Sequence, residues 1–437
     1  MPRRLPLALL AACLLGPAAE AQAGTVPFGL NDATSPQRLE RSRALGSTVG
    51  RLFICWCDLE PQRGRYAFGL LDRIYADFRA HRIRPVLNVV GTPAWAEARC
   101  AAVPRPCLRP PDERHLRRWR ELFRRLAARY PRLFGVEVWN EANLAHFWKP
   151  RADVRRYVRL LKAAYRGAKS GNPRLPVVAG ALCLCGGGPG GVHDFAFLDG
   201  MYRAGARGHF DAIGVHPYPT DYPVIANVRD KMAQMRRVRN RWRDRTPFWV
   251  TEAGISTAVG GTGGHPRLTE PLQARALAAL YKTLRQMADV RVVILFRYAN
   301  ITGGFTTWED GLGIVERADG STKPAATALA AAVRDRRPYH RPLPVRLWAS
   351  TRRVVAGQRV VLRVVGWRHR SANGAPWVLW DVGGGGFYKS TTGHPTLVQR
   401  LPRPGLRRLG VRAGDELDAG EAFITIRVVP RRRRAPP

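Results

Sequence analysis

Eight short apolar runs, each followed by a stretch with helical spacing, fill residues 26–335 of this 437-residue chain. The runs are Val26 to Asn31, Val49 to Trp56, Arg84 to Val90, Phe134 to Trp139, Pro176 to Leu182, Phe210 to Val215, Phe248 to Thr251 and Val290 to Phe296. Each has strand length and is apolar almost throughout, which suits strands covered on both faces. Among the intervening helices, Ser35 caps and Pro36 opens the first. Leu70, Leu71, Ile74, Tyr75 and Phe78 make an apolar stripe on the second, and Asp112 to Tyr130 forms another. Strand and helix repeated eight times predict an α/β fold, a (β/α)8 TIM barrel, and roughly 310 residues lie within the range for one such barrel.

After Pro338 to Pro344 the helical spacing stops. Val360 to Val365, Trp377 to Trp380, Leu406 to Val411 and Phe423 to Val429 read as short strands between glycine-rich or proline-rich turns. The expected organisation is a barrel over residues 24–338, a linker over 339–344, a small all-β sandwich over 345–430 and a basic tail over 431–437. Trp367, Trp377, Trp380, Phe387 and Tyr388 sit in this second part. Stacking on sugar rings is one use for them, but aromatic residues at alternating strand positions read first as core.

The start of the chain has its own signature. Met1-Pro2-Arg3-Arg4, an apolar run from Leu5 to Leu15 and then Ala21-Gln22-Ala23 have the layout of a signal peptide, so residues 1–23 are set apart from the fold and the mature chain is expected to be secreted or held at the cell surface. Six cysteines follow Cys13: Cys55, Cys57, Cys100, Cys107, Cys183 and Cys185. An even number in an oxidising compartment suggests disulfides, and a Cys100–Cys107 bridge would close a short proline-rich loop. The two Cys-x-Cys pairs read as disulfides or buried thiols rather than a metal site.

Net charge is +39. Of the 72 basic residues seven are Lys and the other 65 Arg, spread along the whole chain. A nucleic-acid binder would gather them in a patch or a recognition motif, so no nucleic-acid partner is expected. The excess reads as a bias in composition, with attraction to an acidic polysaccharide or an anionic surface as the functional alternative. No segment beyond the leader approaches 18 continuous apolar residues, so no transmembrane span is expected. A monomer is the expected state.

Two carboxylates stand out. Glu141 closes Val136-Glu137-Val138-Trp139-Asn140-Glu141, and Glu252 closes Phe248-Trp249-Val250-Thr251-Glu252. Each ends an apolar run, which is where a barrel of this kind displays its reacting groups. Acids from two strand ends can face one another across a cleft, as glycosidic-bond cleavage requires. Glu137 is read as structural.

Several segments, in order, resemble the retaining glycoside hydrolases of clan A, particularly families 5 and 39. Trp139-Asn140-Glu141 resembles the clan's Asn-Glu pair on strand four, and Thr251-Glu252 its nucleophile on strand seven. Gly50-Arg51, Trp56, Glu60-Pro61, Gly64 to Phe68 and Leu71-Asp72 are similar to the family 39 segment around strand two. Thr92 to Ala96, His216-Pro217-Tyr218 and Lys323-Pro324-Ala325 continue the likeness.

The resemblance implies roles. Glu141 becomes the general acid and then the general base, and Glu252 the nucleophile. Asn140 is implied to bind the sugar 2-hydroxyl, Arg51 to keep Glu252 charged, Tyr218 to hydrogen-bond the nucleophile, and His216 to support the acid/base or line the cleft. Trp95 joins the substrate-binding set. The clan places a tryptophan at the end of strand eight as a floor for the sugar, and here Leu295-Phe296-Arg297-Tyr298 stands instead, so Tyr298 or Trp308 is expected to substitute. Arg297 raises an acidic sugar as one option. The implied reaction needs no metal or organic cofactor, and its substrate is a carbohydrate. Hydrolysis and transglycosylation use the same groups, and the alternative to both is a non-catalytic polysaccharide-binding or cell-envelope protein on the same scaffold.

Overall fold

The computed structural model describes residues 26–258, 265–301, 306–339, 344–366, 377–382, 389–390 and 394–431. The leader, the Gly260 to Gly264 loop, Trp367, Phe387, Tyr388 and most of the basic tail lie outside them.

Strands β1 (Phe28–Asn31), β2 (Val49–Cys55), β3 (Arg84–Val90), β4 (Gly135–Val138), β5 (Val177–Cys183), β6 (Ala212–His216), β7 (Phe248–Val250) and β8 (Val290–Leu295) close into a parallel barrel in sequence order. β8 returns to pair with β1. Helices cover the outside, including Leu116–Arg129, whose Trp119, Leu122, Phe123 and Leu126 are buried. Ser35 accepts from the Arg38 amide and Pro36 opens the first helix, as the capping chemistry requires.

Alternation along each strand sorts the lumen into layers. Val49, Val86, Val178, Ala212, Trp249 and Val292 form a separate apolar cluster that plugs the barrel. Two residues further along come Arg51, Asn88 and Gly214 on the same strands and Thr251 just past the end of β7, and β4 adds Glu137. Its carboxylate has room because β6 has no side chain there: a Cβ on Gly214 would lie 2.6 Å from Glu137 Oε1.

Beyond the barrel, strands β9 (Arg346–Ala349), β10 (Arg353–Val355), β11 (Arg359–Val365), β12 (Trp377–Asp381), β13 (Lys389–Ser390), β14 (Thr396–Arg400), β15 (Gly405–Gly414) and β16 (Ala419–Val429) form two sheets. Their orders are β10-β16-β15-β12-β13 and β14-β11-β9. Pairing is antiparallel apart from β10 with β16. Trp380 is 1% exposed within the sandwich core, so it offers no sugar platform.

The β15–β16 turn docks on the barrel. The carbonyls of Glu416 and Leu417 accept from the Val224 and Ile225 amides, at 3.0 and 2.9 Å. They thereby satisfy the first amides of helix Val224–Arg241, which no partner within that helix can reach. Leu417 is buried in the barrel's own core cluster, Asp418 pairs with Arg229, and Arg412 pairs with Asp230.

Candidate active site

At the C-terminal end of the barrel the chain leaves β4 under strain. Trp139 and Glu141 have φ of 69° and 41°, a region that costs non-glycine residues about 1–3 kcal/mol. The Glu141 amide donates to the Ala181 carbonyl at 3.0 Å, where β5 bulges between Ala179 and Leu182. Strand β7 is shorter than the apolar run and stops at Val250, so Thr251 and Glu252 begin the loop above it.

These departures bring Glu141, His216 and Glu252 together, with one polar atom from each within 4.8 Å of the others. His216 Nδ1 lies 2.7 Å from Glu141 Oε1 and 3.6 Å from Glu252 Oε2. Tyr218 donates its hydroxyl to Glu252 Oε2 at 2.9 Å.

Arg51 organises the floor of the site. Fully buried, it donates Nε to Glu137 Oε2 at 2.6 Å, Nη1 to Glu252 Oε1 at 2.6 Å and to Asn31 Oδ1 at 3.1 Å, and Nη2 to Asn140 Oδ1 at 2.8 Å. Burial works against its charge, and the carboxylates of Glu137 and Glu252 more than offset that. Since Arg51 takes the oxygen of the Asn140 amide, the NH2 end is left for the cavity that Asn140 lines.

The environment separates the two cleft acids. Burial pushes the Glu141 pKa well above the usual carboxylate range, and the neighbouring Glu252 adds to this while Arg51 opposes it. Burial also raises Glu252, but Arg51 and the Tyr218 hydroxyl draw it back. Burial and Arg51 hold the His216 imidazole well below its ordinary value, hence neutral. The Tyr218 hydroxyl is pushed up, by burial first and then by the two acids.

A cavity of about 420 Å³ opens above these groups. Glu141, Asn140, Tyr218 and Glu252 form its floor; Phe53, Phe296 and Trp308 supply aromatic surface, and Glu309 adds a third carboxylate. Leu144 and Phe147, with Cys183 and Cys185, line it as well. Among the described residues, the larger cavities beside Arg132, Asp58 and Asp335 are not lined by a pair of buried acids. As for a metal, Glu141, His216 and Glu252 are already engaged with one another, Tyr218 and the Arg51 cation. Cys55 and Cys57 stand near Asp58, but their sulfurs are bonded to each other.

Two expected substrate contacts lie elsewhere. Trp95 packs against Trp56 and His115 and gives its indole N–H to the Glu60 carbonyl at 2.9 Å, outside the cavity. Tyr298 is fully buried, with its hydroxyl directed to Glu316 and Arg38 over its ring. Phe296 takes the place expected for Tyr298, and Trp308, stacked on His265 at 4.1 Å, stands beside it. Arg297 pairs with Asp32 at 3.3 Å and does not line the cavity.

Besides Phe53 and Phe296, the sequence reading missed Asn31, Asn88 and Lys231. Lys231 donates to the Tyr218 carbonyl at 2.6 Å, and burial lowers its pKa to about 7. Cys55–Cys57, Cys100–Cys107 and Cys183–Cys185 are each bonded.

Residues 30–306, more than half of the chain, match the family described as Glycosyl hydrolases family 39. The chain belongs to that family. A β-xylosidase from Geobacillus stearothermophilus is 29% identical over 168 residues, a match spanning 36% of this chain and 32% of the relative, about a third of its length. The solved family 39 glycoside hydrolase from Bacteroides cellulosilyticus WH2 is 20% identical, with a TM-score of 0.58 over 87% of this chain and 80% of its own. A Streptomyces cattleya GH5_18 structure in complex with GlcNAc is 18% identical, with a TM-score of 0.54 over 76% and 84%. At these identities the two structures share the barrel fold with this family 39 chain.

Proposed function

We propose that this family 39 chain is an exported O-glycoside hydrolase that works by double displacement. The observation carrying the reading is the Glu141–Glu252 pair, with one oxygen of each within 4.8 Å of the other. Retaining enzymes hold their carboxyl groups about 5–5.5 Å apart and inverting ones roughly 6.5–9.5 Å apart, so the spacing supports retention.

In this reading Glu141 gives its proton to the glycosidic oxygen while Glu252 attacks the anomeric carbon. The aglycone leaves as an alcohol and a glycosyl ester forms on Glu252. Glu141, now a carboxylate, takes a proton from water, and the resulting hydroxide displaces Glu252 and returns the site to its starting state. Another sugar in place of water gives transglycosylation. Asn140 directs its NH2 group at the sugar 2-hydroxyl.

The cleft favours a neutral sugar, because the Glu252 and Glu309 carboxylates face it and Arg297 is tied to Asp32. The name of the Geobacillus relative makes a β-linked xyloside the first substrate to try. Export rests on residues 1–23 and agrees with three disulfides in a chain of this size. N-terminal sequencing of the mature protein, beginning near residue 24, would support export; an intact Met1 in the cell lysate would remove it.

The deciding experiment is sugar release from neutral and acidic glycosides and polysaccharides by the wild type, Glu141→Gln and Glu252→Gln. Activity lost in both variants, with the product's configuration retained, supports the reading. No cleavage by any of them, with binding to one polysaccharide kept in all three, would favour a scaffold that only binds.

A further inference from the structure

Four side chains form a continuous hydrogen-bonded chain across the top of the barrel. Glu137 Oε1 meets Thr251 Oγ1 at 2.8 Å, Thr251 Oγ1 meets His216 Nε2 at 3.1 Å, and His216 Nδ1 meets Glu141 Oε1 at 2.7 Å. Glu137, Thr251 and His216 are fully buried and Glu141 is 7% exposed, so each of the three contacts has to hold a hydrogen of its own. Thr251 has one to give, and a neutral imidazole has one. The third must come from a carboxyl group or from a second imidazole proton.

Two of these sources are disfavoured. Glu137 is ion-paired to Arg51 Nε at 2.6 Å and accepts from Asn88 Nδ2 at 2.9 Å, which makes it the acceptor end of the chain. Burial and Arg51 oppose an imidazolium at His216. The remaining hydrogen therefore sits on Glu141.

We propose that Thr251 is a positioning residue that keeps Glu141 protonated by fixing the tautomer of His216. Pinned as a donor to Glu137, the Thr251 oxygen can only accept from His216 Nε2–H. Nδ1 is then a bare acceptor that only the acid form of Glu141 can satisfy. The opposite tautomer would place Nδ1–H against Glu141 and stabilise its carboxylate instead. The other charges facing Glu141 are Glu252 from the end of β7, Glu309 from the loop after β8, Glu137 within β4 and Arg51 from β2. Of these only Glu252 reaches the imidazole, with Oε2 3.6 Å from Nδ1, and its two oxygens are already held by Arg51 and the Tyr218 hydroxyl; none touches His216 Nε2, where Thr251 acts.

This deepens the proposed function and rests on Glu141 being the acid. Its test begins with the wild-type protein labelled with 15N-histidine, the His216 signals assigned by their loss in His216→Gln. The expected spectrum has a protonated Nε2 and an unprotonated Nδ1; a protonated Nδ1 would overturn the proposal. A second test follows kcat/KM against pH on a xyloside with a poor leaving group. In Thr251→Val the alkaline limb should move to lower pH by about one unit, because His216 is free to donate to the Glu141 carboxylate. Thr251→Ser, which keeps the hydroxyl, should restore the wild-type limb. A valine variant with the wild-type limb, or a serine variant shifted like valine, would also overturn it. A wild type with the expected nitrogen spectrum that cleaves no glycoside would sink the proposed function and leave the tautomer lock standing.

Discussion

Arg51 Nη1 lies 2.6 Å from Glu252 Oε1, inside a barrel lumen where the guanidinium has no exposure to solvent. The same fork holds Glu137 and Asn140, so a single side chain positions the nucleophile candidate and the amide beside it and favours the carboxylate form of Glu252 against its burial. Arg51→Lys keeps the charge and loses the fork. It should fold and lose roughly 10²–10³-fold in kcat, the cost seen for removing one preorganised donor. Arg51→Ala leaves Glu137 and Glu252 buried without a cation, and chemical denaturation should show about 3–5 kcal/mol of lost stability.

Activity requires Glu252 ionised and Glu141 protonated, so kcat/KM should rise with pH through the Glu252 pKa and fall through that of Glu141. Burial raises both, Glu141 the further, which moves the bell towards neutral pH from the usual carboxylate range near 4. Glu309→Gln removes a negative neighbour that favours the acid form of Glu141. Its alkaline limb should shift down by about half a unit, the modest size reflecting the exposed position of Glu309. A rate profile measured in low and moderate salt checks both statements.

A raised carboxyl pKa also weakens the fold as pH increases. Unfolded Glu141 ionises near 4.3 while the native group stays protonated to much higher pH, so the native state binds the extra proton in between. The contribution of Glu141 to stability is fully present below its unfolded pKa and is lost as pH rises through the folded one, at roughly 1.4 kcal/mol for each unit of the shift. Glu141→Gln avoids that loss, and its amide can still donate to His216 Nδ1. It should therefore melt above the wild type at pH 7 and close to it at pH 4.

The strand ends that carry Glu141 and Glu252 were legible because each closes an apolar run, and that placement is independent of loop structure. The polar layer beneath them left a weaker trace. Arg51, Asn88 and Glu137 each interrupt a strand at an inward position and Thr251 follows the end of one, a pattern visible only once the strands are known to close into a barrel. Trp95 and Tyr298 were misplaced because position in sequence does not give side-chain direction. Trp56 and His115 enclose Trp95, and the turn after β8 sends Phe296 into the cavity and Tyr298 towards Glu316. Leu417 had no pattern at all, being one apolar residue between acids in a turn.

Trp308 meets Tyr218 edge-on at 5.2 Å, so its indole bounds the cavity and also braces a hydroxyl bonded to Glu252. Trp308→Phe keeps an aromatic surface, whereas Trp308→Ala opens the wall. The alanine variant should lose about tenfold or more in kcat/KM, mostly through KM if the ring chiefly contacts the sugar. A fall in kcat of the same size, with KM unchanged, would instead assign the ring to support of Tyr218. Phenylalanine should recover most of either loss.

The sandwich reaches the same loop from the outside. Glu416 and Leu417 cap helix Val224–Arg241, which follows the segment bearing His216 and Tyr218, and Lys231 in that helix holds the Tyr218 carbonyl. Leu417→Ala removes a side chain from the barrel's core cluster and should cost about 2–5 kcal/mol. Hydrogen exchange offers the more local check, because loosening the cap should raise the exchange of the Val224 and Ile225 amides before the β4 and β7 amides respond. Uniform exchange across both regions would mean that the turn stabilises the chain as a whole without favouring this helix. Exchange confined to residues 224–231, with a parallel fall in kcat, would tie the second sheet assembly to the positioning of Tyr218.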